Sequence, residues 1–234
     1  MDVMGARKFG QLTGIAAGVV MSVLSAGAMA ASEQDPWEPV NRAVFTFNDT
    51  LDTYGLKPLA QGYQAVTPQF LEDGISNVFG NIGDVGNLAN NVLQGKLHNA
   101  GVDTARLIFN TTFGLLGFFD VASQMGLTKS DEDFGQTLGY WGVGSGPYVV
   151  IPFLGPSTVR DAVGRVPDSF LTPYPYMDDV STRNSVFALD VIDTRASLLS
   201  AEKLIGGDKY VFIRNAYLQN REFKVKDGQV EDDF

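Results

Sequence analysis

The residues able to make or break bonds are few, and their spacing works against it. The one histidine, His98, sits in a Gly-Lys-Leu-His-Asn stretch, with no second histidine to share a metal ion and no cysteine to help. A hydrolase would seat its serine in Gly-x-Ser-x-Gly, whereas Ser145 has Val143 two residues before it and Pro147 two after. Acyl hydrolysis would therefore depend on His98 alone. Glycines 142, 144 and 146 have the outline of a phosphate loop, but Pro147-Tyr148-Val149 reads as extended chain. No helix N-terminus follows to receive a phosphate, and no Gly-Lys-Ser/Thr is present. Carboxylates are numerous enough to pair by chance and discriminate nothing. The expectation is a protein without catalytic residues, metal or cofactor.

What remains is hydrogen bonding and apolar contact, and two stretches concentrate them. Phe134 to Thr158 carries no charge and is rich in glycine, with Gly139, Gly142, Gly144 and Gly146 set among Tyr140, Trp141, Pro147, Tyr148, Val149, Val150, Ile151 and Phe153. Glycine opens backbone angles closed to other residues and the aromatics supply apolar surface, so this reads as an apolar hairpin with a glycine hinge. A buried β-hairpin whose glycines are only turns fits the same residues. Leu107 to Phe119, LIFNTTFGLLGFF, is also uncharged. Its length suits a buried core helix or a re-entrant segment and is too short to cross a bilayer.

The elements that must position these stretches follow from periodicity. Val40, Val44, Phe47, Leu51 and Tyr54 recur at helical spacing after Asp35-Pro36-Trp37-Glu38-Pro39, with Gly55 and Pro58 expected to end the run. After Pro68 an apolar face (Leu71, Ile75, Val78, Phe79, Ile82, Val85, Leu88, Val92) opposes a polar one containing Asn77, Asn81, Asp84, Asn87, Asn90 and Asn91. Asparagine is a poor helix former, so that polar face serves hydrogen bonding or simply faces water. Ser157 or Thr158 can cap a short helix through Arg165, and prolines 167, 173 and 175 then break the chain. A long helix striped by Val186, Leu189, Ile192, Ala196, Leu199 and Leu204 is expected to run to Gly206-Gly207, and Asp208 caps a final helix.

Composition narrows the setting. Arg7 and Lys8 precede an uncharged apolar run, and Ala28-Met29-Ala30 offers a cleavage site, so residues 1–30 read as a secretory signal peptide cut between Ala30 and Ala31. Its removal takes Arg7, Lys8 and Asp2 with it and moves the formal net charge from −10 to about −11. Such a chain is repelled by nucleic acid. With no cysteine there is neither a disulfide framework nor a site for an N-terminal lipid. One domain over residues 31–226 and an acidic, flexible tail over 227–234 complete the organisation.

Several ordered motifs converge. DPWEPVNR at 35–42, NVLQGK ending at Lys96, FNTTFGLLGFFD at 109–120 and FGQTLGYWGVGSGPY at 134–148 come first. PFLGPSTVRD at 152–161, DTRASLL at 193–199 and DKYVFIRNAY at 208–217 follow. Together they resemble the VacJ/MlaA family over Asp35 to about Lys226. The resemblance implies an all-α, ring-like single domain of amphipathic helices with a glycine-rich apolar hairpin, lying in the periplasmic leaflet of a Gram-negative outer membrane. Phospholipid misplaced in the outer leaflet would pass through an amphipathic channel, beside a trimeric OmpC/OmpF-like porin, to the soluble carrier MlaC. The hairpin would line the lipid path. Leu107, Ile108, Phe109, Phe113, Leu115, Leu116, Phe118 and Phe119 would face acyl chains, and Asn77, Asn81, Asn87 and Arg214 would contact head groups. Members usually carry a lipid on an N-terminal cysteine, which is missing here. A soluble periplasmic carrier that closes the hairpin over an apolar ligand is the competing reading.

Overall fold

The structure, a computed structural model, describes residues 34–229. The expected signal peptide, its cleavage point at Ala30–Ala31 and residues 230–234 lie outside them. The described chain is mainly α-helical, as expected, with one two-stranded sheet.

Helix α1 (Glu38–Leu51) does not stop at Gly55 and Pro58 as the sequence suggests. It runs through a π-helical turn (Asp52–Leu56) into α2 (Lys57–Val66). Gly55 lies within the turn and Pro58 at the start of α2, where a missing N–H and a fixed φ are tolerated. Pro68 opens α3 (Gln69–Leu93), and a turn with Gly95 at φ 72° leads to α4 (Leu97–Thr112). The uncharged stretch from Leu107 to Phe119 is therefore divided. Its first six residues finish α4, and the rest fold back in a tight turn closed by Gly117 N–H on Asn110 O (2.8 Å) and Phe119 N–H on Gly114 O (2.9 Å). Leu115 and Leu116 take left-handed angles (φ 51° and 59°), costly for side-chain-bearing residues.

Short helix α5 (Val121–Gln124) is capped by Asp120, and α6 (Phe134–Tyr140) by Asp133. Strands β1 (Tyr148–Ile151) and β2 (Gly155–Thr158) pair antiparallel, with Tyr148 opposite Thr158 and Ile151 opposite Gly155. Thr158 caps α7 (Val159–Ser169), Asp179 caps α8 (Val180–Ser197) and Asp208 caps α9 (Lys209–Val225). The long helix expected to reach Gly206 ends nine residues earlier, at Ser197, and a 3₁₀ turn at Ala201–Leu204 carries the remainder.

The packing partners close a circuit. α2 lies on α8, α8 on α3, α3 on α6, α6 on α7 and α9, α9 on β2, and β1 on α1, which continues into α2. The joint between α6 and α7 is tight: a Cβ on Gly164 would stand 2.5 Å from the backbone nitrogen of Gly135. Side chains are distributed in reverse of a water-soluble domain. Among the described residues, seven apolar side chains are buried against nineteen polar or charged ones, while large apolar residues stand exposed on nearly every helix.

Candidate functional site

Three polar knots fill the interior. In the first, Arg106 of α4 is 2% exposed and reaches both Asp84 of α3 (3.2 Å) and Asp120 before α5 (3.2 Å to each oxygen), and its Nη1 donates to Leu127 O (2.7 Å). Burial raises the Asp84 pKa against the opposing charges of Lys129 and Arg106. At Asp120 burial pulls the same way, but hydrogen bonds from Ser123, Asn110 and Arg106 outweigh it and hold the carboxyl at about 2. In the second knot, Arg221 of α9 spans Asp133 (2.9 Å) and Asp161 (2.8 and 3.0 Å), and Tyr217 Oη donates to Asp161 (2.7 Å). Both carboxyls sit below their ordinary range, since the bonds from Arg221 overcome burial. In the third, Asp35 accepts from Asn41 (2.8 Å), Arg214 (3.1 Å) and Tyr210.

The hairpin is fastened to α1 by two asparagines two helical turns apart. Asn41 donates to Tyr148 O (3.0 Å) and accepts from Val150 N–H (2.9 Å). Asn48 donates to Ile151 O (3.0 Å) and accepts from Phe153 N–H (2.8 Å). Asn41 thus takes a donor and an acceptor from the edge of β1 away from β2, and Asn48 takes a donor and an acceptor at the end of the strand and the turn that follows. Tyr148 and Val150 point inward onto Tyr210 of α9, with the Tyr148 and Tyr210 ring centroids 6.2 Å apart.

Beside the hairpin, where α1, α8 and α9 meet, lies a cavity of about 420 Å³. Its walls are Phe45, Leu198, Ile205, Phe212 and Ile213, and its rim holds Asp49, Asp52, Arg195, Glu202 and Lys209. Arg195 grips Asp52 (2.6 and 2.8 Å) and Glu202 (2.8 Å), Lys57 reaches Glu202 (2.9 Å), and Lys209 reaches Asp49 (2.6 Å). The bonds from Arg195 and Lys57 hold Glu202 at about 2.

The residues singled out in the sequence are distributed as follows. Of the apolar hairpin, Tyr148 and Val150 are core, Val149 and Ile151 are half-buried, and Phe153 at the tip is exposed and packs edge-on against Phe47 (5.3 Å). Gly142 (φ 89°) and Gly144 have open space around them, whereas a Cβ on Gly139 would meet Arg160 at 2.7 Å. Tyr140 and Trp141 belong to the end of α6 and are exposed, Trp141 donating from Nε1 to Leu93 O (3.2 Å). Ile108, Phe113, Leu115, Leu116 and Phe119 point outward together at the tip of α4 and its turn.

Each of the four residues expected to contact head groups makes a hydrogen bond within the protein. Asn77 donates to Phe118 O (3.2 Å) and Asn81 to Thr111 Oγ1 (3.1 Å). Asn87 donates to Ser130 O (2.8 Å) and accepts from Glu132 N–H (2.8 Å), and Arg214 is held by Asp35. The polar face of α3 is its inner face. His98 lines a separate open cavity of about 870 Å³ with Lys96, Lys129 and Lys224. At the start of the expected tail, Asp227 pairs with Lys96. Arg195, Asp52 and Glu202 were not foreseen, although Arg195 lies in the DTRASLL motif; their partners are more than 140 residues apart in one case, Asp52 with Arg195.

The sequence pattern of the MlaA lipoprotein family matches residues 33–224. The intermembrane phospholipid transport system lipoprotein MlaA of Escherichia coli K12 is 35% identical over 231 residues, covering 94% of this chain and 91% of that protein. Its namesake from Haemophilus influenzae is 32% identical over 207 residues, covering 86% and 82%. A solved structure, from work on the structural basis for maintenance of bacterial outer membrane lipid asymmetry, superposes with a TM-score of 0.72 at 33% identity, covering 82% of this chain and 98% of its own.

Proposed function

The chain belongs to the MlaA lipoprotein family, and on that premise we propose that it serves intermembrane phospholipid transport, seated in one leaflet of the outer membrane and passing phospholipid through its helical circuit without making or breaking a bond. One observation carries this reading: the polar side chains are inside and the large apolar ones outside. Extended apolar surface of this kind in a soluble monomer would drive aggregation, whereas against acyl chains it is the ordinary outer face. No described helix is long and apolar enough to cross a membrane, which suits a protein that lies within a leaflet. The outward cluster of Phe113, Leu115, Leu116 and Phe119 is the part we place among acyl chains.

In this reading the function is removal of phospholipid from the outer leaflet to keep the membrane asymmetric. A soluble carrier of the MlaC kind receives the lipid and a trimeric porin stands alongside, both partners following from the family's role. The hairpin borders the lipid path through its tip, Pro152–Leu154, and the open loop at Gly142–Gly146, since the strands between are fastened to α1. The rival reading, a soluble carrier, calls for apolar residues turned inward, opposite to their arrangement here.

The test is complementation. In a Gram-negative host lacking its own MlaA-type protein, this chain is expected to lower the outer-leaflet phosphatidylethanolamine reached by a membrane-impermeant amine reagent. An unchanged outer leaflet, with the protein present in the outer membrane, would overturn the function. Recovery of the parent protein in the aqueous periplasmic extract, without detergent, would overturn the embedded placement and favour the carrier.

A further inference from the structure

We infer that the cavity between α1, α8 and α9 is a seat for one acyl chain of a zwitterionic phospholipid, with the head group held at the charged rim. This rests on the reading of the protein as a phospholipid conduit and names the place where the lipid is held. The walls, Phe45, Leu198, Ile205, Phe212 and Ile213, offer a chain only carbon to touch. The volume of about 420 Å³ falls in the range of small-molecule sites, about 300–1,000 Å³. A cavity of this size has room for a chain of membrane-lipid length.

The rim argues for the head group. Arg195 and Lys209 face Asp49, Asp52 and Glu202 at the rim, and Lys57, outside the cavity, reaches Glu202 from behind, so over the whole cluster cations and carboxylates balance and are paired with one another. A zwitterion can enter by exchange: its phosphate takes over a Lys209 or Arg195 partner while its ammonium takes over the carboxylate released. Every charge keeps an opposite. An anionic head group can replace a carboxylate but leaves that carboxylate without a cation, which costs most where the groups are partly desolvated. The Arg195, Asp52 and Glu202 side chains are each less than a quarter exposed. The site is thus tuned to head groups of zero net charge.

Photo-crosslinking tests this on the full chain. A phosphoethanolamine lipid with a diazirine at the end of one acyl chain is incorporated with the protein into vesicles and irradiated, and adducts are located by peptide mass spectrometry. Adducts are expected on Leu198, Ile205, Phe212 or Ile213, suppressed at least tenfold by excess unlabelled lipid, and weakened at least threefold in Ile213→Trp, whose larger indole intrudes into the cavity. Adducts confined to outward residues such as Leu115 and Leu116, or pocket adducts that excess lipid does not suppress, overturn the proposal. So does undiminished labelling in an Ile213→Trp variant whose circular dichroism matches the parent; if that variant misfolds, the competition arm decides. A diazirine fatty acid that labels the pocket when the phospholipid does not makes the occupant a free fatty acid and overturns it too. A phosphoglycerol analogue is expected to label at least threefold less, and equal labelling refutes the head-group assignment. Complementation that succeeds with an unlabelled pocket removes this site and leaves the function standing; a labelled pocket without complementation does the reverse.

Discussion

At the scale of single residues, buried charge is the feature with most at stake. Arg106 neutralises Asp84 and Asp120 together, and a buried carboxylate stripped of its partner costs about 3–5 kcal/mol. Arg106→Ala is expected to destabilise the α3–α4 pair by that order, read as a lowered melting temperature in detergent; a melting curve superimposed on the parent's would show the knot to be idle. A second expectation concerns acid. Arg195 and Lys57 hold Glu202 at about 2 against an ordinary 4.5, so its contribution is present above 4.5 and lost as pH falls toward 2. Asp120 follows the same course, while Asp84 and Asp168, raised by burial, gain from protonation and offset part of the loss. Glu202→Gln should lower stability at neutral pH and shrink the drop below pH 4.5; an identical pH profile would exclude the group. The asparagines of α3 were legible as a hydrogen-bonding face, but not their direction. A polar stripe looks the same in sequence whether it faces water or a polar interior, and only the partners decide: Thr111, Ser130 and Asp103.

At the scale of elements, the α1–hairpin joint is the one most open to experiment. Asn48→Ala removes two hydrogen bonds near the tip, each worth about 0.5–1.5 kcal/mol, and leaves the exposed Phe153 N–H without that partner. Faster deuterium exchange at the Phe153 amide is expected, with the amide of Val150, held by Asn41, protected as before. Equal exchange in parent and variant would mean the tip is held by something else. At the α6–α7 joint, Gly164→Ala places a methyl group against the backbone of Gly135, so the helices must separate. Losses typical of overpacking, about 1–3 kcal/mol, are expected in thermal unfolding, and a neutral effect would refute the close approach. Most helices were legible because periodicity, Thr158 and Asp208 announce them. The hidden boundaries have related causes: at Asp52–Leu56 one helical form runs into another without a break, and after Ser197 only a three-residue turn precedes the 3₁₀ segment, changes that periodicity does not register.

At the scale of the whole molecule, the outward apolar cluster should govern attachment. A charge placed among acyl chains costs about 2.5–3.5 kcal/mol, so Leu116→Asp is expected to move the protein from the membrane fraction to the aqueous one. A folded variant that still sediments with membranes would show that the tip of α4 is not inserted. The polar interior carries a further consequence, in heat. Unfolding usually raises heat capacity by about 12–15 cal/mol/K per residue because buried apolar surface becomes wet, whereas newly wetted polar surface lowers it. Here the fully buried side chains are mostly amides, carboxylates and guanidinium groups, and many of the large apolar ones are already exposed. Calorimetry in detergent should therefore find an increment well under that range and a stability curve that is shallow against temperature. A fold held this way loses little in the cold, where proteins that depend on apolar burial weaken.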